Sequence, residues 1–189
     1  MSSLFMLSFR RRDKPHALFA GMTGVKLGDR VAQLGCAHGG RLAAIAAQVG
    51  LSGQAIAVVP DEASAERARR GGAQAGVLVE VEIAPPTRLP LDDGAFDVAV
   101  IDDTAGLLAT MRPEDRVATV REVLRILRPG GRVMVISAVP RGGLAALFTR
   151  AQSGPPFDAE PSLHADGFRA ARTLAEREGL RFVEALKVR

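Results

Sequence analysis

The chain has 189 residues, of which 47% are apolar, and it carries a formal net charge of +4. This length suits one domain with a complete hydrophobic core. The modest charge and the 4% content of aromatic residues argue against nucleic-acid binding. The one cysteine cannot form an internal disulfide, so we expect a cytoplasmic protein.

The first segment, MSSLFMLSFRRRDKP, places an apolar cluster ahead of its positive charges, whereas a secretory signal has the opposite order. Two interpretations stay open. The segment is a short docking piece or frayed end, or its apolar side chains bind a protein partner or a membrane surface. Those side chains are Leu4, Phe5, Leu7 and Phe9. No apolar run is long enough to cross a bilayer, and we do not expect membrane contact.

From residue 14 onward the sequence alternates between patterns typical of helices and of strands. Apolar runs predict strands over residues 30–34, 54–59, 76–83, 96–101, 132–137 and 180–188. Amphipathic stretches predict helices over residues 14–24, 41–49, 61–70, 113–127 and 163–178. Between the last strand pair, the Pro-rich stretch SGPPFDAEPS predicts a loop over residues 153–162.

Nearly continuous apolar strands joined by helices predict an α/β fold, with a doubly wound, mostly parallel sheet covered by helices on both faces. Ligands of such sheets bind at the carboxyl ends of the strands, near the point where the strand order reverses. The predicted ends are the loop from Gly35, Val59–Pro60, Ala84–Pro86 and Asp102–Thr104.

Five motifs follow one another along the chain. They are LGCAHGG (34–40), VVPDEAS (58–64), TRLPLDDGAFDVAVI (87–101), VREVLRIL (120–127) and RPGGRVMVIS (128–137). In this order and spacing the chain resembles the class I S-adenosylmethionine-dependent methyltransferases, in particular the small-molecule type that includes the quinone-biosynthesis methyltransferases. The resemblance covers residues 28–138.

The resemblance implies a Rossmann-like fold with the strand order 3-2-1-4-5-6, and the family's usual seventh strand has no counterpart in the predicted elements. We expect residues 1–27 to form an N-terminal segment and helix, and residues 28–189 a methyltransferase-like domain. The implied function is methyl transfer from S-adenosylmethionine to a small-molecule acceptor. A missing strand would leave a sheet edge for a second copy or a protein partner to cover.

The resemblance also places the cofactor against a set of residues at the strand ends. They are Gln33, Gly35, Cys36, Ala37, His38, Gly39, Val59, Pro60, Pro85 and Asp102. Three of them, Gln33, Val59 and Pro85, stand where the family has acids. Valine cannot accept hydrogen bonds from ribose hydroxyls, and proline offers neither a carboxylate nor an N–H towards the adenine amino group. Asp61, two residues after Val59, is predicted to cap a helix.

Methyl transfer from a sulfonium depends mainly on in-line positioning, sometimes with a base for the acceptor. The candidates for that base are Asp102 and Asp103, at the end of the fourth strand, and His164, after the Pro-rich loop. For the aspartates the alternative role is to cap the turn that follows them. No Cys/His cluster indicates a zinc site.

Two other functions share parts of this sequence pattern. A nicotinamide dehydrogenase shares the strand, glycine loop and helix, but it also needs an acid at Val59, and the short-chain type needs a tyrosine that this chain lacks. The stronger alternative is a catalytically inactive methyltransferase-fold protein. Such a protein would have lost or weakened cofactor binding and would act as a partner subunit or scaffold.

Overall fold

The structure is a computed structural model that describes residues 16–139 and 157–188. Its helices are α1 (Ala17–Met22), α2 (Gly39–Val49), α3 (Glu62–Ala75), α4 (Pro113–Ile126) and α5 (Ala159–Ala165). Its strands are β1 (Arg30–Leu34), β2 (Gln54–Val59), β3 (Glu80–Ile83), β4 (Phe96–Asp103), β5 (Leu127–Ala138), β6 (Arg169–Arg177) and β7 (Leu180–Leu186).

The seven strands form one sheet in the order β3-β2-β1-β4-β5-β7-β6. Strands β1 to β5 pair in parallel, whereas β7 runs antiparallel to both β5 and β6. The predicted α/β class and the order 3-2-1-4-5 of the first five strands are therefore confirmed.

The prediction of a missing seventh strand is wrong, because residues 169–177, predicted as helix, form β6. The alanine, arginine and glutamate side chains of this segment suit a helix. However, Gly167 ends α5 with a φ of 101°, and the next turn favours a hairpin. In that turn Glu178 and Gly179 both have positive φ, 54° and 74°, which is typical of the tight turns that join antiparallel strands.

Strand β6 forms the edge of the sheet on the side where an uncovered edge was predicted. Its pairing with β7 is interrupted by two register shifts. Its exposed side chains include Arg169, Arg172 and Arg177. Bulges and charged side chains protect edge strands from pairing with other chains.

The predicted Pro-rich loop is also partly wrong, because α5 begins at Ala159, inside it. Pro161 is the third residue of this helix, and the first turn has no intrahelical acceptor for its N–H groups, so proline is tolerated there. Residues 153–156 lie outside the described part of the chain.

Helices cover both faces of the sheet, as predicted. On one face Phe19 of α1 and Ile45 of α2 share a core cluster with Val100 of β4. On the other face Val120 of α4 and Leu163 of α5 pack with Ile101 of β4. Because side chains alternate along a strand, Asp102 follows the face of α1 and α2, and Asp103 follows the face of α4 and α5.

The N-terminal helix α1 belongs to this packing, since Phe19 and Ala20 are buried in the first cluster. Residues 1–15, including the predicted partner-binding residues Leu4, Phe5, Leu7 and Phe9, lie outside the described residues. The boundary between residues 27 and 28 stays a prediction. Among the helices of the described ranges, none is long and apolar enough to cross a membrane.

Candidate functional site

The candidate site lies where β1 and β4 pair side by side, with Leu34 opposite Ile101. The strand order reverses at this point, because the chain continues from β1 to β2 on one side and reaches β4 on the other. A crevice opens at the carboxyl ends of such strands, where ligands of doubly wound sheets bind. The predicted glycine loop and Asp102–Thr104 both lie at these carboxyl ends.

Gly35 opens the loop after β1 in a conformation that requires glycine. Its φ is 77°, in the left-handed region. A Cβ at this position would lie 3.1 Å from the carbonyl oxygen of Asp102 and 3.1 Å from Cδ2 of Leu107. The loop is therefore pressed against the residues that follow β4.

Asp102 binds the same loop through its side chain. One carboxylate oxygen, Oδ2, accepts a hydrogen bond of 3.0 Å from the backbone N–H of Ala37. The other, Oδ1, accepts bonds from the backbone N–H of Thr104 at 3.2 Å and from its hydroxyl at 2.6 Å. The Thr104 hydroxyl in turn accepts a bond of 2.9 Å from Nη1 of Arg41, on α2. This network joins the end of β4 to the glycine loop and to α2.

Gln33 lies beneath the loop and is fully buried. Its Nε2 donates a hydrogen bond of 3.0 Å to the carbonyl oxygen of Gly35. Its Oε1 has no hydrogen-bond partner among the described residues. Buried polar atoms are rarely left without a partner, so this acceptor is a candidate for a bond to a ligand.

Two histidines stand at the amino end of α2. Nδ1 of His38 accepts a hydrogen bond of 3.2 Å from the N–H of Gly40 and so caps the helix. The ring of His16 lies 4.7 Å from the His38 ring. Partial burial, together with the nearby His38 and Arg41, lowers the pKa of His16. No sequence pattern indicates this pair, because 22 positions separate the two residues.

The loop also contacts α3 closely. Gly39 packs against the backbone of Arg67 and Gly71, where a Cβ would clash. The Nε of Arg67 donates a hydrogen bond of 3.1 Å to the carbonyl oxygen of Cys36. Burial, with the charge of Asp102, raises the pKa of the Cys36 thiol to about 11. Cys36 is thus a protonated, packed thiol and not a nucleophile.

The ends of β2 and β3 carry no side-chain acceptor at the predicted cofactor positions. Val59 is fully buried, and its carbonyl oxygen accepts a bond of 3.0 Å from the N–H of Ala84. Pro60 and Pro85 are exposed. Asp61 caps α3 as predicted, since its Oδ1 accepts a bond of 2.7 Å from the N–H of Ser64, which lowers the pKa of the carboxyl.

Asp103 is the most perturbed carboxyl group of the site. It is 5% exposed, and its Oδ1 accepts a hydrogen bond of 2.6 Å from the N–H of Leu108. Burial raises its pKa to about 6, despite the opposing effects of that hydrogen bond and of the Arg116 charge. A carboxyl with such a pKa exchanges protons near neutral pH, as a general base requires.

The third predicted base, His164, is not brought to this cluster. It lies exposed in the last turn of α5, whereas both aspartates are buried at the end of β4. It forms no hydrogen bond or ion pair with either aspartate. The structure thus joins Asp102 to the glycine loop and Asp103 to the turn that follows β4, and it leaves His164 on the surface.

S-adenosylmethionine, the cofactor implied by the sequence resemblance, has an ammonium and a carboxylate at one end and ribose and adenine at the other. The unpartnered Oε1 of Gln33 fits an N–H donor such as the ammonium. The amino end of α2, which has no acidic residue in its first turn, fits a carboxylate. The described residues therefore fit the amino-acid end of the cofactor, whereas Val59 and Pro85 leave its nucleoside end to backbone and apolar contacts.

Known proteins resemble this chain over most of its length. The methyltransferase GfsG of Streptomyces halstedii is 29% identical over 169 residues, which cover 87% of this chain and 57% of that protein. A demethylmenaquinone methyltransferase of Symbiobacterium thermophilum is 27% identical over 135 residues, which cover 70% of this chain and 52% of that protein. The chain thus spans about half the length of these curated relatives.

Solved structures share the fold at low sequence identity. A SAM-dependent methyltransferase from Aquifex aeolicus superposes with a TM-score of 0.70 at 22% identity, over 93% of this chain and 90% of that one. A Haloferax volcanii methyltransferase in complex with the Trm112 methyltransferase activator gives 0.67 at 15% identity, over 93% and 91%. The family model for the methyltransferase domain matches residues 31–131 of the 189. The chain therefore belongs to the methyltransferase domain family, which indicates S-adenosylmethionine as its cofactor.

Proposed function

We propose that this chain transfers a methyl group from S-adenosylmethionine to a small-molecule acceptor. The observation that carries the proposal is the unpartnered, fully buried Oε1 of Gln33, under the glycine loop at the point where the strand order reverses. A buried acceptor without a partner costs about 1–3 kcal/mol. A bound donor would remove that cost, so the site favours a ligand that carries an N–H group.

The proposed cofactor contacts are the predicted residues, and we assign each of them a role. Gln33 accepts from the ligand, Gly35 and Gly39 allow the close packing of the loop, and His38 caps α2. Cys36 and Ala37 contribute backbone, Asp102 holds the Ala37 amide in place, and Val59, Pro60 and Pro85 line the nucleoside side. When bound, the cofactor supplies an electrophilic methyl group.

For the proton, we propose Asp103. Its raised pKa of about 6 suits a base that accepts a proton from the methyl acceptor at neutral pH. Asp102 is a positioning residue, because both of its carboxylate oxygens are used to hold the loop and Thr104.

The relatives support a small-molecule acceptor. A demethylmenaquinone methyltransferase is named for a small molecule, and this chain shares 135 aligned residues with it. We also infer a cytoplasmic location, which the free thiol of Cys36 supports.

The experiment is a calorimetric titration of the protein with S-adenosylmethionine and S-adenosylhomocysteine. We expect micromolar binding of both, weakened at least about tenfold by Gln33→Leu, because one hydrogen bond to a charged group is lost. The matched control is Gln48→Leu at the other end of α2, since Gln48 also has a buried Oε1 without a partner among the described residues. No heat at millimolar ligand, with the protein folded, would rule out the proposal.

One observation favours the second function, an inactive partner subunit or scaffold. Val59, Pro60 and Pro85 offer no side-chain acceptor where the family has acids. The proposed partners are a second copy or another protein, bound through the N-terminal segment or the C-terminal sheet edge. A chain that binds no cofactor and sediments as a dimer or complex would support this function, and a monomer that binds cofactor would exclude it.

A further inference from the structure

A cavity of about 270 Å³ lies between α4 and α5, outside the cofactor crevice. Most of its lining is apolar, from Pro113, Val117, Val120, Phe157 and Ala165. Three polar side chains complete the lining, and they are Arg116, Ser162 and Asp166. A mainly apolar hollow with a few polar groups is the usual form of a small-molecule site.

Two of the three polar groups are already committed. The Ser162 hydroxyl donates a hydrogen bond of 2.9 Å to the carbonyl oxygen of Asp158. The Asp166 carboxylate lies 3.5 Å from the guanidinium of Arg121. Neither group is therefore the natural anchor for a ligand.

Arg116 is different, because most of its hydrogen-bonding capacity is unused. Its Nε donates a bond of 3.2 Å to the carbonyl oxygen of Met111. Its guanidinium carbon lies 5.9 Å from the centre of the Phe157 ring. Neither Nη atom has an acceptor among the residues in 16–139 and 157–188. A guanidinium with free Nη groups matches a carboxylate or another anionic oxygen.

The cavity is also on the correct side of the sheet for chemistry at the end of β4. Asp103 follows the face that α4 and α5 cover, and the Arg116 charge acts on its pKa. The first two turns of α4, which supply Pro113, Arg116 and Val117, begin after the turn that Asp103 anchors through Leu108. Arg116 thus lines the cavity and also acts through its charge on the proposed proton acceptor.

A purely structural role for Arg116, in which it holds the turn at Met111 before α4, does not account for its place in the cavity lining. The bond from Nε to Met111 would serve that purpose without an apolar cavity, and it leaves both Nη atoms without an acceptor among the described residues. A cavity of about 270 Å³ is slightly below the range of about 300–1,000 Å³ for drug-sized ligands. It therefore suits a molecule with a single ring.

We propose that this cavity binds the methyl acceptor, and that the acceptor is a small, largely apolar molecule with one anionic oxygen group, a carboxylate or a phenolate, paired with Arg116. The identification of the bound molecule as the methyl acceptor rests on the proposed function. The binding of a small apolar anion by this cavity rests on the lining, on the volume and on the Arg116 guanidinium, whose Nη atoms lack an acceptor within the described part of the chain.

The test uses the full chain without cofactor. Two single-ring probes, benzoate and its neutral relative benzyl alcohol, are each titrated into the protein, and binding is detected by ligand-observed NMR. We expect saturable binding of benzoate at least tenfold tighter than that of benzyl alcohol. Arg116→Gln removes this preference, and Arg116→Lys restores part of it. Ala165→Leu, an exposed position on the lining, weakens both probes and leaves their ratio unchanged.

Arg112→Gln is the matched control, because it removes the same charge from the start of the same helix, outside the lining. We expect the benzoate preference to survive it. Equal binding of the two probes, no saturable benzoate binding, or a preference that persists in a folded Arg116→Gln variant would each overturn the proposal. Because no cofactor is present, these outcomes are separate from the calorimetric test of the cofactor site.

Discussion

The two halves of the carboxyl edge of the sheet differ in what their polar residues do. Around β1 and β4, Asp102, Thr104 and Arg41 form a connected network, and Gln33 supports Gly35. Around β2 and β3 the corresponding positions are Val59 and Pro85, which contribute no side-chain hydrogen bond.

This difference separates what the fold needs from what a ligand needs. Asp102 holds the glycine loop whether or not a ligand is bound, because its partners all belong to the chain. An acid at Val59 would have served a ribose only, since the strand end is already satisfied by the Ala84 N–H on the Val59 carbonyl. The polar residues that hold the loop are therefore present at the ends of β1 and β4. The carboxylates that would bind the nucleoside are absent from the ends of β2 and β3, at Val59 and Pro85.

The largest effect on stability is expected at Gly35, where the loop packs most closely against the end of β4. Gly35→Ala places a Cβ at a φ of 77° and 3.1 Å from the backbone oxygen of Asp102. The left-handed backbone costs about 1–2 kcal/mol, and the forced shift of the neighbouring backbone adds about 1–3 kcal/mol. Urea unfolding measures the sum.

Gly76→Ala is the matched control for Gly35→Ala. Gly76 has a φ of 66°, but a Cβ there meets nothing within 4 Å. We expect only the cost of the backbone conformation, about 1–2 kcal/mol. Equal losses of stability in the two variants would mean that the approach of Asp102 to the loop contributes nothing.

The next effect concerns the charge of Asp103. Its pKa is 3.8 in the unfolded chain and about 6 when folded, so the folded state binds the proton more tightly. The contribution of Asp103 to stability is therefore greatest below about pH 4 and falls as pH rises to 6, by up to about 3 kcal/mol. Asp61, Asp97 and Glu122 contribute the opposite slope, because their pKa values are lowered in the folded chain. Asp103→Asn keeps an acceptor for the Leu108 N–H and carries no charge. We expect it to abolish the contribution of Asp103 and to be the more stable protein at pH 7, in urea unfolding at pH 4.5 and 7.

Asp102→Asn should behave in the opposite way. Both oxygens of Asp102 accept hydrogen bonds, from Ala37 and from Thr104, and an amide offers only one oxygen. The variant should lose about 1–3 kcal/mol at pH 7. If both variants were destabilised equally, Asp103 would be a structural anchor like Asp102, and a role in proton transfer would lose its support.

The sequence predicted the first two strands and the residues that follow them well, because local patterns determine them. The bounds of β1 and β2 match the predicted ones, and Gly35, Gln33 and Asp61 lie where the motifs place them. Apolar runs between turn residues are strong signals for buried parallel strands. Strand β6 was missed because its exposed Arg, Ala and Glu side chains have no alternating pattern, and its pairing with β7 decided its structure.

The contacts of the site could not be predicted in the same way. The bond between Asp102 and Ala37 joins residues 65 positions apart. The His16–His38 pair and the Arg116–Phe157 contact join residues that are 22 and 41 positions apart. Such contacts depend on the tertiary arrangement. The sequence did predict the lack of carboxylates at the ends of β2 and β3, since Val59 and Pro85 lack the required groups in any conformation.

The smallest effect is the change in cofactor affinity when an acid is placed at the end of β2, by Val59→Asp. Val59 is fully buried, so a carboxylate there should destabilise the cofactor-free protein. If ribose lies at this strand end, the new carboxylate accepts its hydroxyls, and the affinity for S-adenosylmethionine should rise about tenfold, or about 1.4 kcal/mol. Val59→Asn offers a neutral acceptor and should give a smaller gain, because hydrogen bonds to ionised acceptors are stronger. Calorimetry on folded variants decides: an unchanged affinity in Val59→Asp would mean that the nucleoside does not reach β2, and that the loss of the acid reflects a different mode of binding.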